Sequence, residues 1–311
     1  MAIFYRIYNN QLFSAGEVPK LGFDVSSPYF IPYEYLDKQE FMVMRTCHGI
    51  GDWCLLSSMP RLLKEKYPNC KVYVPSPNLL KNIFGNLLEQ WGYKTYDSSF
   101  VTLDIFKNNP YVDEFVDTYE GEIFHDHYRL YDPNNSKIPL VEQILKFWQF
   151  QDHEIADSTP DIFFSQEEIK SGDDLILKFW DSSPFGYISV SSTYGQTAES
   201  DNLIEVVKQY KDYNWFYYGE TPIKDTNLSF LKNVIEIKPL GLSLREQMYL
   251  KTKAQVNIGN ETGANLWSSK YSKTYVLSNR YYGSNHGGNN VGKPRKDPFS
   301  SGNFVKNVIY I

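Results

Sequence analysis

Two short polar turns hold the residues best suited to chemistry. The first, Thr46-Cys47-His48-Gly49-Ile50-Gly51-Asp52, follows an apolar run over residues 41–44. The second, Gly259-Asn260-Glu261-Thr262-Gly263-Ala264-Asn265, follows an apolar segment over residues 254–258. Each leads into a helical pattern, so each presents unpaired backbone N–H groups at a helix start, a setting that favours an anion. Gly49 and Gly51 admit close backbone approach to a ligand. Asp52 has two readings. As a first-turn carboxylate it complements the helix dipole and binds nothing. Held at a strand end facing a cleft, it is a general base. G-I-G-D does not choose between them; it lacks the third glycine of a dinucleotide fingerprint and the Lys-Ser/Thr of a phosphate loop.

Periodicity shows which elements must position these turns. Leu55, Leu56, Met59, Leu62 and Leu63 recur at threes and fours and make one apolar helix face. Lys64, Lys66 and Pro68 close that helix. Residues 71–74 then read as a strand, with Val72 and Val74 on one side and Tyr73 on the other. Strand, glycine turn, helix and strand form a βαβ unit with parallel strands. Ligands bind outside the carboxyl ends of such strands. Ahead of this unit, residues 1–40 read as a β-rich extension in which Asn9-Asn10 turns a hairpin. Beyond it, a helix is expected over residues 78–91, a strand over 101–105, a short apolar segment over 112–116 and a helix over 138–150. His125 and His127 would share one face of a strand, but no third ligand stands at a recognisable spacing for a metal.

The second half repeats the alternation. Strands are expected over residues 186–190, 214–218, 234–237, 254–258 and 273–277, with an edge strand within 304–311. Helices are expected from Ser200 or Asp201 to Tyr210 and over 242–252, the latter opened by the capping box Ser243 and Glu246. The loop after the first of these strands is Ser191-Ser192-Thr193-Tyr194-Gly195-Gln196-Thr197. Residues 279–303, with Lys293, Arg295 and Lys296, read as an exposed loop. Alternating strands and helices predict an α/β protein with a mainly parallel sheet in each half. The expected organisation is a β-rich N-terminal extension over 1–40, one Rossmann-like domain over 41–165 and a second over 166–311.

Composition narrows the function. The 311 residues suffice for two domains of about 150 each. A net charge of −6 argues against a protein built to grip nucleic-acid backbone. Cys47, Cys54 and Cys70 form no C-x-x-C pair, which suits a reducing compartment and offers no zinc framework. No run of eighteen apolar residues predicts a transmembrane helix, and the first residues carry no signal-peptide pattern.

Taken together, four stretches resemble the heptosyltransferase-like glycosyltransferases, glycosyltransferase family nine. G-I-G-D-W-C-L-L-S-S-M-P-R-L-L-K-E-K-Y-P resembles their N-terminal Gly-Asp motif, and N-E-T-G-A-N-L-W their C-terminal Asp-Thr-Gly turn. Asn109-Pro110-Tyr111-Val112-Asp113-Glu114 and Leu242-Ser243-Leu244-Arg245-Glu246 are similar to pieces lying between them. The order agrees over roughly residues 41–280. The resemblance implies a GT-B architecture, two Rossmann-like domains facing across a cleft. It implies metal-independent, inverting transfer of a sugar from a nucleotide-diphosphate sugar to a glycan or glycolipid hydroxyl, with no further cofactor. By motif match, Asp52 would be the base. Gly49, Gly51, Ser192, Thr193, Glu261, Thr262, Gly263 and Ala264 would border the donor diphosphate, and His48 and Asn265 would contact donor or acceptor. Glu261 stands where the family usually has Asp, and Asn265 where many members have His. The loop after residues 186–190 lacks the family's phosphate-binding Lys; Lys224, Lys293 and Arg295 are candidates to replace it.

Two other readings stay open: an idle relative that binds nucleotide or sugar, and a Rossmann-type epimerase or dehydrogenase of sugar nucleotides. Against the latter, no full G-x-G-x-x-G follows a strand and no acidic residue stands at the expected ribose distance. The expected location is cytoplasmic, with a peripheral contact at the inner face of a membrane left open.

Overall fold

The computed structural model describes residues 5–8, 11–14, 40–44, 50–82, 101–123, 150, 154–155, 157–181, 183–190, 201–260, 263–277 and 307–311. The chain divides into two compact units, Met1–Phe163 and Phe164–Ile311. Both are α/β, and each contains a parallel sheet.

In the first unit, β1 (Tyr5–Tyr8) and β2 (Gln11–Ser14) form the expected antiparallel hairpin. β3 (Glu40–Met42) leads towards the first polar turn. The helix that follows has a break the periodicity does not announce: α1 (Ile50–Leu55), a 3-10 turn over Leu56–Ser58, then α2 (Met59–Lys66). Pro60 has no N–H to give to the Leu56 carbonyl, and the Met59 N–H takes that acceptor instead, tightening the turn. The apolar stripe survives the break, since Leu55, Leu56, Met59, Leu62 and Leu63 are all buried. β4 (Lys71–Pro75) follows, with Val72 and Val74 buried and Tyr73 half-buried on the opposite face.

Residues 77–82 are helical, opened by the Ser76 hydroxyl oxygen, which accepts the Leu79 N–H at 3.2 Å. The expected strand over 101–105 is instead a helix, α3 (Val101–Phe106). Thr102, Ile105 and Phe106 are buried while Leu103 is exposed, so burial follows threes and fours, and the apparent alternation is incidental. β5 (Glu114–Val116) completes a parallel sheet of order β3-β4-β5. β6 (Gly121–Ile123) pairs with β1 and widens the hairpin to three antiparallel strands.

The second unit opens on α4 (Gln166–Trp180), a helix the sequence reading does not anticipate. Its signal is present in Ser165-Gln166-Glu167-Glu168. The Ser165 hydroxyl accepts the Glu168 N–H and the Glu168 carboxylate accepts the Ser165 N–H, a complete capping box. There follow β7 (Phe185–Ser189), α5 (Asp201–Gln209), β8 (Asn214–Tyr218), β9 (Val234–Glu236), α6 (Leu244–Lys253) and β10 (Val256–Asn260). The unit ends with α7 (Gly263–Leu266), β11 (Lys273–Leu277) and β12 (Val308–Tyr310). All six strands are parallel, in the order β9-β8-β7-β10-β11-β12. The predicted capping box of Ser243 and Glu246 is formed. The expected strand over 254–258 lies two residues later, because parallel pairing with β11 runs on to Asn260 opposite Leu277. Gly259 and Asn260 are therefore strand, not turn.

This sheet is buried on both faces, as parallel sheets require. Ile188, Trp215, Tyr217, Val256 and Ile258 pack with Leu203, Val206 and Val207 of α5 on one side. Phe185, Tyr187 and Phe216 pack with Trp180 of α4 and Leu250 of α6 on the other. Helices α4 and α6 touch closely at Gly172, where a Cβ would lie 2.0 Å from the Tyr249 ring. Arg245 forks onto Glu168 at 2.6 and 2.9 Å, so one carboxylate both caps α4 and binds α6.

Polar pins set the first unit. Asp113 accepts the Val72 N–H at 2.7 Å and the Lys64 ammonium at 2.6 Å, joining β5, β4 and α2. Burial pushes the Asp113 carboxyl up, but these donors outweigh it and hold the carboxyl below its ordinary value. Asn109 is buried, accepts the Tyr111 N–H and donates to the Ser57 carbonyl. The Asn-Pro-Tyr-Val-Asp-Glu piece thus makes structural bonds. Arg61 of α2 donates to Asp161 at 2.8 Å and to the Asp157 carbonyl at 3.0 Å, while Ser58 donates to the Ser158 carbonyl at 2.9 Å. The Asp161 side chain is wholly buried. Residues 83–91, His125, His127, residues 138–149 and the cations Lys293, Arg295 and Lys296 lie outside the described residues.

Breaking a buried ion pair by removing one partner costs about 3 kcal/mol or more. Asp161→Ala is expected to lower the stability of the first unit by about that amount, read as a lower urea midpoint with an unchanged slope. A loss below about 1 kcal/mol would show that this pair does not hold the 157–161 segment.

Candidate functional site

Parallel strands send every following loop to one edge of the sheet. In the first unit, β3, β4 and β5 end together, and α1 opens beyond β3. Gly51 and Asp52 are the second and third residues of α1, directly before buried Trp53, Cys54 and Leu55. The backbone places Asp52 in the first helical turn that follows the carboxyl end of β3. His48 and Gly49 lie outside the described residues. Ser76 and Asp117 follow the ends of β4 and β5. They are hydrogen-bonded to each other, and Asn78 donates to the same Asp117 oxygen at 3.3 Å.

In the second unit the strand order has a consequence for binding. Numbered along the unit, β9-β8-β7-β10-β11-β12 is the order 3-2-1-4-5-6 of dinucleotide-binding sheets. From β7 the chain proceeds outward through β8 and β9. It then returns through α6 to place β10 on the other side of β7, and moves outward again. The topological switch point therefore lies between β7 and β10, whose ends are in register at Ser189 and Gly259. Nucleotides bind outside the carboxyl ends of such a pair. The loop bearing Ser192 and Thr193 leaves β7, and the turn bearing Glu261, Thr262, Gly263 and Ala264 leaves β10. The strand ends themselves, Ser189 and Gly259, are far apart in sequence and adjacent in the sheet. Gly263 and Ala264 open α7; Ser192, Thr193, Glu261 and Thr262 lie outside the described residues.

Asn265 is fully placed. Its side chain is buried, its Oδ1 accepts the Lys251 ammonium, and its carbonyl accepts the Ser268 hydroxyl at 2.6 Å. Asn265, expected to contact donor or acceptor, thus has its side chain turned inward and held by Lys251. Lys224 is exposed in a 3-10 turn after β8.

Three residues escape the sequence reading. Lys251 and Asn257 are buried and polar, and a Lys on the covered face of α6 and an Asn inside V-N-I-G are the signals that could have found them. Glu220 stands just beyond β8, the second strand of the order, where dinucleotide sheets carry the acidic ribose contact. Beside it, burial and then Glu236 push the Tyr217 hydroxyl up to about 12, so it stays protonated and donates to the Thr221 carbonyl at 2.9 Å. Burial likewise raises the Tyr187 hydroxyl. Among the described residues no three His, Cys, Asp or Glu side chains are grouped to hold a metal ion, and no helix is long and apolar enough to cross a membrane.

The second unit thus has the strand order of a Rossmann-type sheet, and another α/β unit precedes it in the chain. No protein-family model matches the sequence, and no curated protein matches it. Solved structures do. The chain is similar to a glycosyl transferase of family 9 from Veillonella parvula, with a TM-score of 0.49 and 10% identity over 88% of this chain and 85% of that one. It is also similar to the ADP-heptose LPS heptosyltransferase II of E. coli, with a TM-score of 0.43 and 13% identity over 87% and 90%.

Gly259 of β10 has no room for a side chain. A Cβ there would lie 2.3 Å from the Ser189 carbonyl oxygen and 2.4 Å from Asn265 Nδ2. Gly259→Ala is therefore expected to cost about 2 kcal/mol, because a backbone oxygen cannot swing aside. Urea denaturation followed by tryptophan fluorescence reads it; stability within about 0.5 kcal/mol of the parent would show that the strands can part.

Proposed function

We propose that this chain is a GT-B glycosyltransferase that moves a sugar from a nucleotide-diphosphate sugar to a hydroxyl of a glycan or glycolipid, with inversion and without a metal. The observation that carries the reading is the switch point. The two loops that the family resemblance assigns to the donor diphosphate leave the two strands of the sheet between which a nucleotide is expected. The resemblance rests on the motifs around Asp52 and Glu261.

In this mechanism, Asp52 accepts the proton of the acceptor hydroxyl as its oxygen attacks the anomeric carbon. The bond from that carbon to the diphosphate oxygen breaks, and the nucleoside diphosphate leaves with the electron pair. Backbone N–H groups at the start of α7 and the hydroxyls of Ser192, Thr193 and Thr262 receive the developing negative charge in place of a cation. Glu220 takes a ribose hydroxyl. His48 lies on the acceptor side, and Gly49 and Gly51 let the backbone approach. Work on a glycan or glycolipid suits a cytoplasmic enzyme in peripheral contact with the inner face of a membrane.

A sugar-nucleotide epimerase or dehydrogenase would share the strand order. The turn after β7, where such enzymes carry G-x-G-x-x-G, reads Ser-Ser-Thr-Tyr-Gly-Gln instead, so a dinucleotide is disfavoured.

A metal-free thermal-shift panel of ADP, GDP, UDP, CDP, TDP and NAD is expected to show stabilisation by one nucleoside diphosphate. The stabilisation amounts to about 2.7 kcal/mol at a hundredfold excess over Kd. Stabilisation by NAD alone would replace the transferase with an oxidoreductase or epimerase. With the donor so identified, Asp52→Asn is expected to lower turnover about a thousandfold and leave nucleotide affinity unchanged. Turnover equal to the parent's would remove Asp52 as the base, and an inactive parent that binds nucleotide would favour the idle relative.

A further inference from the structure

The first unit holds a cavity that the donor reading does not use. It is open, measures about 510 Å³, and lies on the face of the β3-β4-β5 sheet that points away from buried Val72 and Val74. Small-ligand sites span roughly 300–1,000 Å³. Alternation and register bring its side chains together. Tyr73 of β4 stands opposite Glu114 of β5. Glu40 at the start of β3 shares that face, with its Oε1 3.5 Å from the Tyr73 hydroxyl. Thr118, Tyr119 and Glu120, which follow β5, complete the polar and aromatic lining.

The segment after β5 is fixed in place. The Ser76 N–H donates to the Val116 carbonyl at 2.9 Å. The Ser76 hydroxyl and the Asn78 amide both donate to Asp117 Oδ1. The chain leaving β5 is therefore pinned to the end of β4. Tyr119 meets Tyr73 edge-on, with ring centres 6.4 Å apart and planes at 62°. Two half-buried aromatic rings so border a cavity whose other lining is polar.

The lining selects a ligand class. Glu40, Glu114 and Glu120 repel phosphate, which sets this cavity apart from a donor site. The three carboxylates do not form a group able to hold a metal ion. Spaced around the cavity, they accept hydroxyl hydrogens. Burial, and then Glu40 and Glu114, raise the Tyr73 hydroxyl above its ordinary value, so it stays protonated. At 3.5 Å Glu40 holds that proton only weakly, and a ligand acceptor can take it. An ammonium has no acceptor to offer the Tyr73 and Thr118 hydroxyls; a sugar hydroxyl donates and accepts. A sugar also has C–H faces for the apolar body of a tyrosine ring. We propose that this cavity binds one sugar residue of a glycan, with its hydroxyls on the glutamates and Thr118 and a C–H face on Tyr119. The inference gives the acceptor a second hold in the unit that carries Asp52, and it rests on the transferase reading only for what the sugar is attached to.

The test titrates the full chain with the methyl glycosides of glucose, galactose, mannose and N-acetylglucosamine, read by saturation-transfer difference NMR, with spermidine and inorganic phosphate run alongside. At least one glycoside is expected to bind. Tyr119→Ala is expected to weaken that binding about tenfold, and Tyr119→Phe, which keeps the ring, to preserve it. Glu114→Gln alters an exposed side chain and is expected to weaken binding about threefold; it carries the test if Tyr119→Ala does not fold. Absence of binding by every glycoside overturns the inference. Binding that both Tyr119→Ala and Glu114→Gln leave unchanged places the sugar elsewhere and overturns it too. Spermidine binding in place of any glycoside makes the cavity a cation site and does the same. A parent that binds glycoside but no nucleoside diphosphate keeps this pocket and loses the transferase reading; the converse result removes the pocket alone.

Discussion

Parallel strands cannot be joined by a tight turn. Each must be left at its carboxyl end and re-entered from the opposite edge, and the crossover has to cover a sheet face on the way. In the second unit that constraint does most of the organising. Because the crossovers are right-handed and the strand order reverses at β7, α5 lies on one face and α6 on the other, and both faces can then be filled with Trp, Tyr, Phe and aliphatic side chains. The loops after the strands gather at one edge as a by-product. Two strand ends without sequence relation, Ser189 and Gly259, become neighbours because their strands pair.

The edge so formed is only as well defined as the contacts behind it, and here those contacts are polar. The Glu168 carboxylate caps α4 and receives the Arg245 fork, so the helix leading into the sheet and the crossover helix behind β10 share one fixed point. Hydrophobic packing alone tolerates sliding along a ridge; a bidentate pair does not. In the first unit, Arg61 and Asp113 play comparable parts, setting the helix after β3 against the 157–161 segment and against the start of β5.

Legibility followed the strength of the local pattern. β8 and β11 were readable to the residue, since aromatic and β-branched runs between polar breaks have one interpretation. α6 was readable because Ser243 and Glu246 announce its start. The segment Val101–Phe106 misled because six residues satisfy period two and period 3.6 about equally well, and only tertiary burial of Thr102, Ile105 and Phe106 decides. α4 was missed although Ser165 and Glu168 make the same box as α6, because Asp173, Asp174 and Gly172 dilute its apolar face. The two polar turns were visible as glycine-bearing helix starts. Their neighbourhood was not, because strand order is a long-range property that no local spacing encodes.

Lys251 and Asn257 show what else a local reading cannot reach. In sequence Lys251 is one of several polar residues of α6 and Asn257 sits between the apolar Val256 and Ile258, and the default expectation is that such a residue faces water. The structure turns both inward and makes each a partner of the other's segment. The Asn257 amide N–H groups and the Lys251 ammonium have acceptors on other elements, so these two cannot be placed without the helix, strand and turn that supply them. The same requirement works in the other direction: α7, held by a lysine and an asparagine, has little freedom to move, because shifting it would leave a buried ammonium without this acceptor.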